Sequence, residues 1–318
     1  MSTPTAKSLV FRSVDGVDIE LDFILPPDAS KENPAGMLVW WHGGGLLQGS
    51  RKSIPPHLLA APSQHNLCLI SPDYRLAPQT RLPSILSDTA ALLSFIRSPA
   101  FVEHPHIDGK VDPARVVVSG ASAGGWLALM AGLAVGFDAA GVERPERVQG
   151  VAAIYPISNL EDPFWTSKQY PVSYLSRVIE REEVAEYLDP SAPPTSFSEP
   201  ESRRNKFYDY MIQEALLPSL LLEGTGVDPK EFSIARAVRE GKTIEPLPPV
   251  YLIHGDIDDK VPHRQSTDVV DALRARGAMH EFETKEGKDH LFDFEEEEGR
   301  GEGMEGMYRF IKRVLARK

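Results

Sequence analysis

Runs of consecutive apolar residues recur along the chain and alternate with segments in which apolar residues have helical spacing. Uninterrupted apolar runs are typical of strands covered on both faces, because a half-exposed strand would alternate apolar and polar positions. The apolar runs predict strands at residues 8–14, 17–25, 37–41, 67–71, 116–118, 148–155, 250–254 and 280–284. The helical spacing predicts helices at residues 88–96, 125–135, 264–276 and 304–315. This alternation predicts an α/β fold with a mostly parallel central sheet covered by helices on both faces.

The alternation of strands and helices breaks between residues 157 and 245. This segment is rich in proline and has two charged stretches of helical character, at residues 178–186 and 203–217, but no strand pattern. It is too long for a plain loop, since loops beyond about 15 residues are uncommon in compact domains. We therefore expect a helical lid or cap over residues 157–245, inserted into a single domain (1–318) whose core is residues 1–156 and 246–318. The alternative is a surface insertion without function.

Composition and charge exclude several classes of protein. The chain has 318 residues, of which 42% are hydrophobic and 25% charged, as in ordinary globular proteins. Its 34 Lys and Arg against 46 Asp and Glu give a formal net charge of −12, the opposite of what binding to nucleic-acid phosphates needs. The single cysteine, Cys68, allows neither an intrachain disulfide nor a cysteine metal site. We therefore expect no nucleic-acid partner.

One uncharged stretch, residues 116–137, is long enough to span a membrane. Gly120, Ser122 and Gly124 interrupt it after a β-branched start, so a strand, a tight turn and a buried helix explain it better. The amino-terminal residues lack the apolar core of a signal peptide. We therefore expect a cytoplasmic protein without a membrane span. The sequence leaves the oligomeric state open, with a homodimer as one alternative.

The tight turn in this stretch, Gly120-Ala121-Ser122-Ala123-Gly124, matches the pattern Gly-x-Ser-x-Gly between a strand and a helix. Small residues flank Ser122 because such a sharp turn leaves no room for bulk. The turn projects the hydroxyl above the sheet, and the amino terminus of the following helix stabilises negative charge there. We predict that Ser122 is a nucleophile, with a plain glycine-rich turn as the alternative.

A serine nucleophile needs a base, and the base needs an acid to orient it. In this topology the serine comes first in the chain, then the acid and then the histidine. Four histidines lie beyond the predicted lid. His254 and His280 belong to predicted strands, and His263 follows the candidate acids too closely. His290 lies in the loop after the last predicted strand, and we predict that it is the base.

The acid is expected in the loop after the preceding strand, where three aspartates compete. We predict Asp258, because His-Gly-x-x-Asp-x-x-Val-Pro is a frequent setting for it; Asp256 is the second candidate, and Asp259 is expected to be solvated. A metal-binding loop is the other interpretation of this acidic cluster. An EF-hand counted from Asp256 would need glycine and glutamate where Val261 and Thr267 stand. We therefore expect no metal.

A glycine-rich segment, His42-Gly43-Gly44-Gly45, follows the strand predicted at residues 37–41 and matches the oxyanion-hole sequence of lipases and esterases. The backbone N–H groups of Gly43, Gly44 and Ala123 are predicted to surround the negative oxygen of a tetrahedral intermediate. Glycine is needed because side chains would keep the backbone away from the substrate. A dinucleotide-binding pattern counted from Gly43 fails at Gln48, so no nucleotide site is predicted.

Three motifs together resemble those of the hormone-sensitive-lipase branch of the α/β-hydrolases: His42-Gly43-Gly44-Gly45, Asp73-Tyr74-Arg75-Leu76-Ala77-Pro78, and the segment 120–125. The resemblance implies the α/β-hydrolase fold and the hydrolysis of carboxylic esters without a cofactor. It gives the middle motif a supporting role near the site. The chain departs from the family at Gln79, where glutamate is usual, and at Ala121, where aspartate is usual. The family's substrates are therefore not carried over.

The sequence thus predicts a serine hydrolase acting on an ester or lactone of a small, largely apolar acyl compound, with Ser122, His290 and Asp258 as its catalytic triad. Two alternatives stay open. One is the same triad in an acyltransferase, or in a lyase or cyclase of a biosynthetic pathway; the other is a receptor that binds a small ligand without turnover. Trp126 is predicted to bind substrate, with packing beneath the site as the alternative. Five aromatic residues of the predicted lid are candidates for the pocket wall, with packing favoured for each: Trp165, Tyr170, Tyr174, Phe207 and Tyr210.

Overall fold

The computed structural model describes residues 6–199, 201–294 and 303–316. Within this part of the chain, eight strands form one sheet: β1 (Lys7–Val14), β2 (Val17–Ile24), β3 (Ala35–Trp41), β4 (Leu67–Pro72), β5 (Val111–Ala121), β6 (Gly150–Ile154), β7 (Val250–Gly255) and β8 (His280–Lys285). They lie in the order β1-β2-β4-β3-β5-β6-β7-β8. The pairs β1·β2 and β2·β4 are antiparallel, and all other neighbours are parallel. The predicted, mostly parallel sheet is confirmed.

Helices cover both faces of this sheet. The α-helices of the described residues are α1 (Pro56–His65), α2 (Leu82–Phe95), α3 (Pro99–Val102), α4 (Ala123–Leu133), α5 (Pro163–Thr166), α6 (Arg204–Glu214), α7 (Leu217–Leu222), α8 (Ile234–Glu240), α9 (Arg264–Ala275) and α10 (Glu305–Leu315). Along β3, Met37 and Val39 contribute to the core under α2 and α4, whereas Leu38 and Trp40 contribute to the core under α1 and α10. Because both faces are buried, the central strands have no polar alternation.

Several helical elements differ from the sequence prediction, since α1, α3, α5 and α8 all lie outside the predicted helices. Helix α1 was not predicted, since it contains Pro62 and has no clear apolar stripe. The helix expected at residues 178–186 is instead two short 3₁₀ turns, Arg181–Glu183 and Ala185–Tyr187. This stretch buries few side chains, and a charged segment without a packed face gains little from continuing as an α-helix.

The segment between β6 and β7 contains helices and, among its described residues, no strand. Its last helix, α8, packs against α9 in the helical layer that covers the sheet. Helices α5 and α7 pack against each other, and α6 lies against the loop that follows β3. The predicted lid over residues 157–245 therefore includes α8, which extends the core layer, and α6, which lies at the carboxyl edge of the sheet.

Candidate active site

Ser122 occupies the turn between β5 and α4, with φ 56° and ψ −121°. A positive φ is uncommon for a residue with a side chain, and such strained positions cluster at functional sites. The Ser122 amide donates a hydrogen bond to the carbonyl of Ile154 at 2.9 Å, and its carbonyl accepts one from the amide of Ile157 at 3.2 Å. The end of β6 and the residues after it thus hold the turn in its strained form.

Two glycines allow this turn to form. A Cβ on Gly124 would lie 2.0 Å from the carbonyl oxygen of Trp41, and a Cβ on Gly120 would lie 2.3 Å from the carbonyl oxygen of Gly124. Both contacts are with backbone atoms, so no side chain could move to relieve them. The pattern Gly-x-Ser-x-Gly is therefore required here by the close approach of α4 to β3 and β5.

His290 and Asp258 lie together at the carboxyl edge of the sheet, in the loops that follow β8 and β7. His290 Nδ1 is 2.6 Å from Asp258 Oδ2. The other carboxylate oxygen accepts hydrogen bonds from the amides of Lys260 at 2.9 Å and Val261 at 2.8 Å. Since an ionised carboxylate only accepts hydrogen bonds, Nδ1 is the protonated nitrogen in this pair. Nε2 of the neutral ring is then free to accept a proton.

Asp258 is buried, yet its surroundings favour the ionised carboxylate. Burial by itself raises the pKa of this group, but the hydrogen bonds and charges of His254 and His290 outweigh burial and hold the pKa below its usual range. His254 is fully buried, and its Nε2 lies 3.2 Å from Asp258 Oδ2. Asp258 therefore keeps its negative charge at neutral pH and fixes the orientation of the His290 imidazole.

A residue that the sequence did not single out, Tyr155, packs against His290. It follows β6 directly, and its ring centroid is 4.3 Å from that of His290. The Tyr155 hydroxyl donates a hydrogen bond to Asp293, which is fully buried. The imidazole is thus held by Asp258 through a hydrogen bond and by Tyr155 through ring packing. An aromatic residue directly after a parallel strand was the only sequence feature that pointed to it.

The predicted oxyanion loop lies beside Ser122. A Cβ on Gly43 would be 3.2 Å from both the carbonyl oxygen of Ala121 and the Cβ of Ser122. Gly44 has φ +100°, a conformation that favours glycine. Ala123 is the first residue of α4, where amides have no acceptor within the helix. The structure therefore brings the backbone of Gly43 close to Ser122, whose neighbour in the chain is Ala123.

Tyr74, from the middle motif, holds the predicted oxyanion loop, residues 42–45, in place. Its ring is stacked on that of His42, with centroids 4.3 Å apart, and its hydroxyl donates to the His42 carbonyl at 2.9 Å. His42 Nδ1 also lies 2.8 Å from the carbonyl oxygen of Gly43. These contacts join two segments that are distant in the sequence. The supporting role that the family resemblance implies for this motif matches this geometry.

Burial gives His42 a measurable effect on stability. Its removal from water lowers the pKa to about 4, although the contact with Gly43 raises it in part. Between pH 6.5 and 4 the unfolded state then binds more protons than the folded state, so stability falls as the pH is lowered through this window. We expect His42 to account for about 3 kcal/mol of the loss in unfolding free energy. Urea unfolding at a series of pH values measures this loss in unfolding free energy.

The matched variant for this prediction is His42→Gln. It lacks the titrating ring, so its unfolding free energy should depend less on pH between 6.5 and 4. His65, whose pKa burial also lowers to about 4, contributes equally in both proteins. Identical pH dependences of the variant and the unmodified protein would contradict the prediction.

Arg204, at the start of α6, joins the predicted lid to the core. The side chain is 7% exposed, and its guanidinium donates to the carbonyls of Leu47 and, at 2.8 Å, Ala77. It also donates to Gln79 Oε1 at 3.0 Å. Burial lowers the pKa of Arg204 to about 10, which leaves it charged at neutral pH. Gln79, the residue at which the chain departs from the family pattern, is thus an acceptor for this cation.

Replacing Arg204 by methionine should lower the unfolding free energy by about 2–3 kcal/mol, because three acceptors, two of them buried, lose a charged donor. Urea unfolding followed by tryptophan fluorescence measures the effect. The neighbouring Arg203 is exposed, and Arg203→Met should change the unfolding free energy by no more than about 0.5 kcal/mol. Equal effects of the two substitutions would contradict the role assigned to Arg204.

Trp126 lies in the core rather than at the cavity. It is fully buried, and its indole N–H donates to the carbonyl of Phe232 at 3.1 Å. The physical reason is that α4 is buried along its whole length, so only its amino terminus meets the site. The structure therefore corrects the prediction that Trp126 binds substrate and favours the alternative that it packs beneath the site.

A cavity of about 450 Å³ opens over Ser122 and His290. Four parts of the chain complete its wall. The ends of β3 and β5 and the residues that follow β3 contribute Trp40, His42, Gly43, Gly44, Gln48, Gly49, Ser53 and Ala121. The 157–245 segment contributes Tyr174, Ser198, Glu199, Asn205, Tyr208 and Asp209, and the loops after β7 and β8 contribute Lys260, Leu291 and Phe294. Among the five aromatic candidates of the predicted lid, Tyr174 alone lines the cavity. Tyr208 lines it too, although the sequence did not indicate it.

The described residues contain no group of three His, Cys, Asp or Glu side chains arranged to hold a metal ion. Over the same residues, every helix is too short or too polar to cross a membrane. Cys68 is buried, and burial raises the pKa of its thiol to about 12, so it is a poor nucleophile.

The sheet order, the strained serine between β5 and α4, and the Asp–His pair at the carboxyl edge define a protein with an esterase-like hydrolase fold. A family model described as alpha/beta hydrolase fold matches residues 38–204, more than half of the chain. A second model, described as prolyl oligopeptidase family, matches residues 209–318. The chain belongs to the α/β-hydrolase family, and its resemblance to the serine esterases of that family is confirmed.

Curated relatives are longer than this chain. It is 28% identical to the non-reducing polyketide synthase pkbA of Emericella nidulans over 99% of the chain and 14% of that protein. It is also 28% identical to the 5-methylorsellinic acid synthase of Aspergillus terreus, over 98% of the chain and 13% of that protein. The chain therefore spans about a seventh of the length of these relatives.

Solved structures support the fold. A structure of Thermogutta terrifontis esterase 2, phosphoramylated by tabun, superposes with a TM-score of 0.64 at 20% identity, covering 100% of this chain and 98% of the other. A protein of unknown function from Staphylococcus aureus superposes with a TM-score of 0.73 at 18% identity, covering 97% of this chain and 99% of the other. At these identities the likeness concerns the fold alone.

Proposed function

We propose that the chain is a serine hydrolase that cleaves a carboxylic ester or lactone of a small acyl compound through an acyl-enzyme. The observation that carries the proposal is the hydrogen bond of His290 to the ionised Asp258, in the cavity that also contains the strained Ser122. A volume of about 450 Å³ suits a small molecule. Membership of the α/β-hydrolase family supports the same chemistry.

The proposed reaction begins with attack of the Ser122 hydroxyl oxygen on the ester carbonyl. His290 Nε2 accepts the hydroxyl proton and returns it to the leaving alcohol, while Asp258 stabilises the imidazolium. The amides of Gly43, Gly44 and Ala123 donate hydrogen bonds to the oxygen that becomes negative. Water, deprotonated by His290, then attacks the acyl-enzyme and releases the acid.

No hydrogen bond joins the Ser122 hydroxyl to His290 within the described part of the chain. Catalytic hydrogen bonds are often long in sites without substrate and tighten in the complex. Both side chains line the same cavity, so the proposed proton transfer needs a local adjustment and no rearrangement of the sheet. The residues 157–245 are proposed as a lid because Tyr174, Tyr208 and Asp209 complete the cavity wall.

The experiment is hydrolysis of 4-nitrophenyl acetate and butyrate by the unmodified protein, followed by release of 4-nitrophenol. We expect turnover. If deacylation limits the rate, a burst of one equivalent of 4-nitrophenol per active site precedes it. The matched control is Ser122→Ala, whose fold is checked by circular dichroism. Rates that are the same for both proteins would exclude the proposed nucleophile.

A second candidate function is transfer of an acyl group to an acceptor other than water, as in an acyltransferase or cyclase. The similarity to parts of proteins named as a polyketide synthase and a 5-methylorsellinic acid synthase supports it. Fold and triad are compatible with both outcomes, because the pocket selects the acceptor. Product analysis of a butyryl thioester incubated with and without a small alcohol distinguishes them: free acid alone supports hydrolysis, and an ester product supports transfer.

A further inference from the structure

A linked group of polar side chains forms part of the cavity wall away from the proposed triad. Tyr174, Tyr208, Asp209 and Lys260 all line the cavity. The Tyr174 hydroxyl donates to Asp209 Oδ1 at 3.1 Å, and the Lys260 ammonium lies over the Tyr174 ring, 4.5 Å from its centroid. We call Tyr174, Asp209 and Lys260 the acceptor cluster. It joins the 157–245 segment to the loop that contains Asp258.

Within this cluster, the lysine is already neutralised by other groups. Lys260 Nζ is 3.0 Å from Asp289 Oδ2 and also pairs with Asp259. It acts on Asp209 through space and forms no ion pair with it among the described residues. Its position beside the aromatic ring fixes Tyr174, which in turn directs its hydroxyl to the Asp209 carboxylate.

Asp209 is left with an unused acceptor. It is half-buried, and among the described residues only Tyr174 donates to it, through Oδ1. Burial raises the pKa of this carboxyl, while the Tyr174 hydrogen bond and the Lys260 charge lower it in part. A molecule that binds in the cavity and covers this carboxylate displaces its water, so a donor on that molecule stabilises the complex and a molecule without one is penalised.

We propose that Asp209, held by Tyr174, accepts a hydrogen bond from a hydroxyl group of the substrate, so that the substrates are hydroxyl-bearing esters rather than plain alkanoates. The donor in this inference is the neutral hydroxyl of an alcohol or a phenol. This inference rests on the proposed function and specifies its substrate class. Asp209 is a residue that determines specificity and takes no part in the proton transfers at Ser122.

The test compares esters that differ by one hydroxyl group. The pairs are the 4-nitrophenyl esters of phenylacetic and 3-phenylpropanoic acid, each against its meta- and para-hydroxy derivative. The methylene groups insulate the carbonyl, so the hydroxyl changes binding and hardly changes intrinsic reactivity. For at least one pair, the unmodified protein should have a kcat/KM about 10- to 100-fold higher for the hydroxylated ester, as a hydrogen bond to a charged group provides.

Variants assign this preference to the acceptor cluster. Asp209→Ala should abolish the preference, that is, bring the ratio of kcat/KM for the hydroxylated and unhydroxylated esters to about one, while Tyr174→Phe should reduce the preference in part. The control is Asp271→Ala, which removes an exposed aspartate of α9. It should change kcat/KM for neither the hydroxylated nor the unhydroxylated ester. If Asp209→Ala does not fold, Asp209→Asn replaces it and should weaken the preference.

The outcomes separate this inference from the proposed function. Equal kcat/KM values within every pair, or a preference that survives in the Asp209 variants, would overturn the role of Asp209 while ester hydrolysis stands. Failure of the unmodified protein to hydrolyse any of these esters, together with an unreactive Ser122, would overturn the proposed function and the inference with it.

Discussion

Replacing Ser122 by alanine should lower kcat for ester hydrolysis by about 10⁴- to 10⁶-fold. The substitution removes the oxygen that forms the acyl-enzyme, and Cys68 cannot replace it as a nucleophile because it is buried in the core. What activity remains should come from the oxyanion loop and from substrate binding. Alanine also fits the turn sterically, so the fold should be kept.

The control for this variant is Ser119→Ala, in β5, the strand that leads into the turn. Ser119 is buried, and its hydroxyl donates to the carbonyl of Ala152 at 2.7 Å. Its loss should lower the unfolding free energy by about 1 kcal/mol and leave kcat within a few-fold of the unmodified protein. If Ser122→Ala kept its activity to within tenfold while folded, Ser122 would not be the nucleophile.

Replacing Asp258 by asparagine should lower kcat by about 10⁴-fold. Asparagine keeps the shape of the side chain but has no charge with which to stabilise an imidazolium at His290. Its amide group can also donate to Nδ1, which would move the ring proton to Nε2, the nitrogen that must accept the serine proton. The measurement is the rate of 4-nitrophenyl butyrate hydrolysis by the folded variant.

Two neighbouring aspartates provide matched controls. Asp256, the second candidate from the sequence, is exposed and accepts a hydrogen bond from the amide of Gly287 at 2.6 Å. Asp259 pairs with Lys260. Asp256→Asn and Asp259→Asn should each leave kcat within about threefold. If kcat fell strongly in Asp256→Asn and changed little in Asp258→Asn, Asp256 rather than Asp258 would be the acid of the triad.

The sheet could be predicted from the sequence because its central strands are apolar on both faces. In β3, β4 and β6 every residue is buried, so the apolar run and the strand nearly coincide. Helix α1 and the 3₁₀ turns after residue 180 could not be predicted in the same way. Their conformation depends on contacts with distant parts of the chain, which local periodicity does not contain.

The candidate site followed from the order of motifs, since the carboxyl ends of parallel strands meet at one edge. To predict that Ser122, Asp258 and His290 lie close together, that topology was enough. Tyr155 and Asp209 were missed because their roles come from packing and from one long-range hydrogen bond, neither of which leaves a local pattern. Trp126 was predicted to bind substrate because it is near Ser122 in the sequence. Nearness in the sequence did not bring its side chain to the cavity.

The most direct test of the central claim is covalent labelling of the unmodified protein with a fluorophosphonate, followed by intact mass measurement and peptide mapping. We predict one equivalent of label per chain, located on Ser122, with no label on folded Ser122→Ala and slower labelling of Asp258→Asn. A folded, unmodified protein that takes up no label, or that takes it up at a residue other than Ser122, would contradict the assignment of Ser122 as the nucleophile.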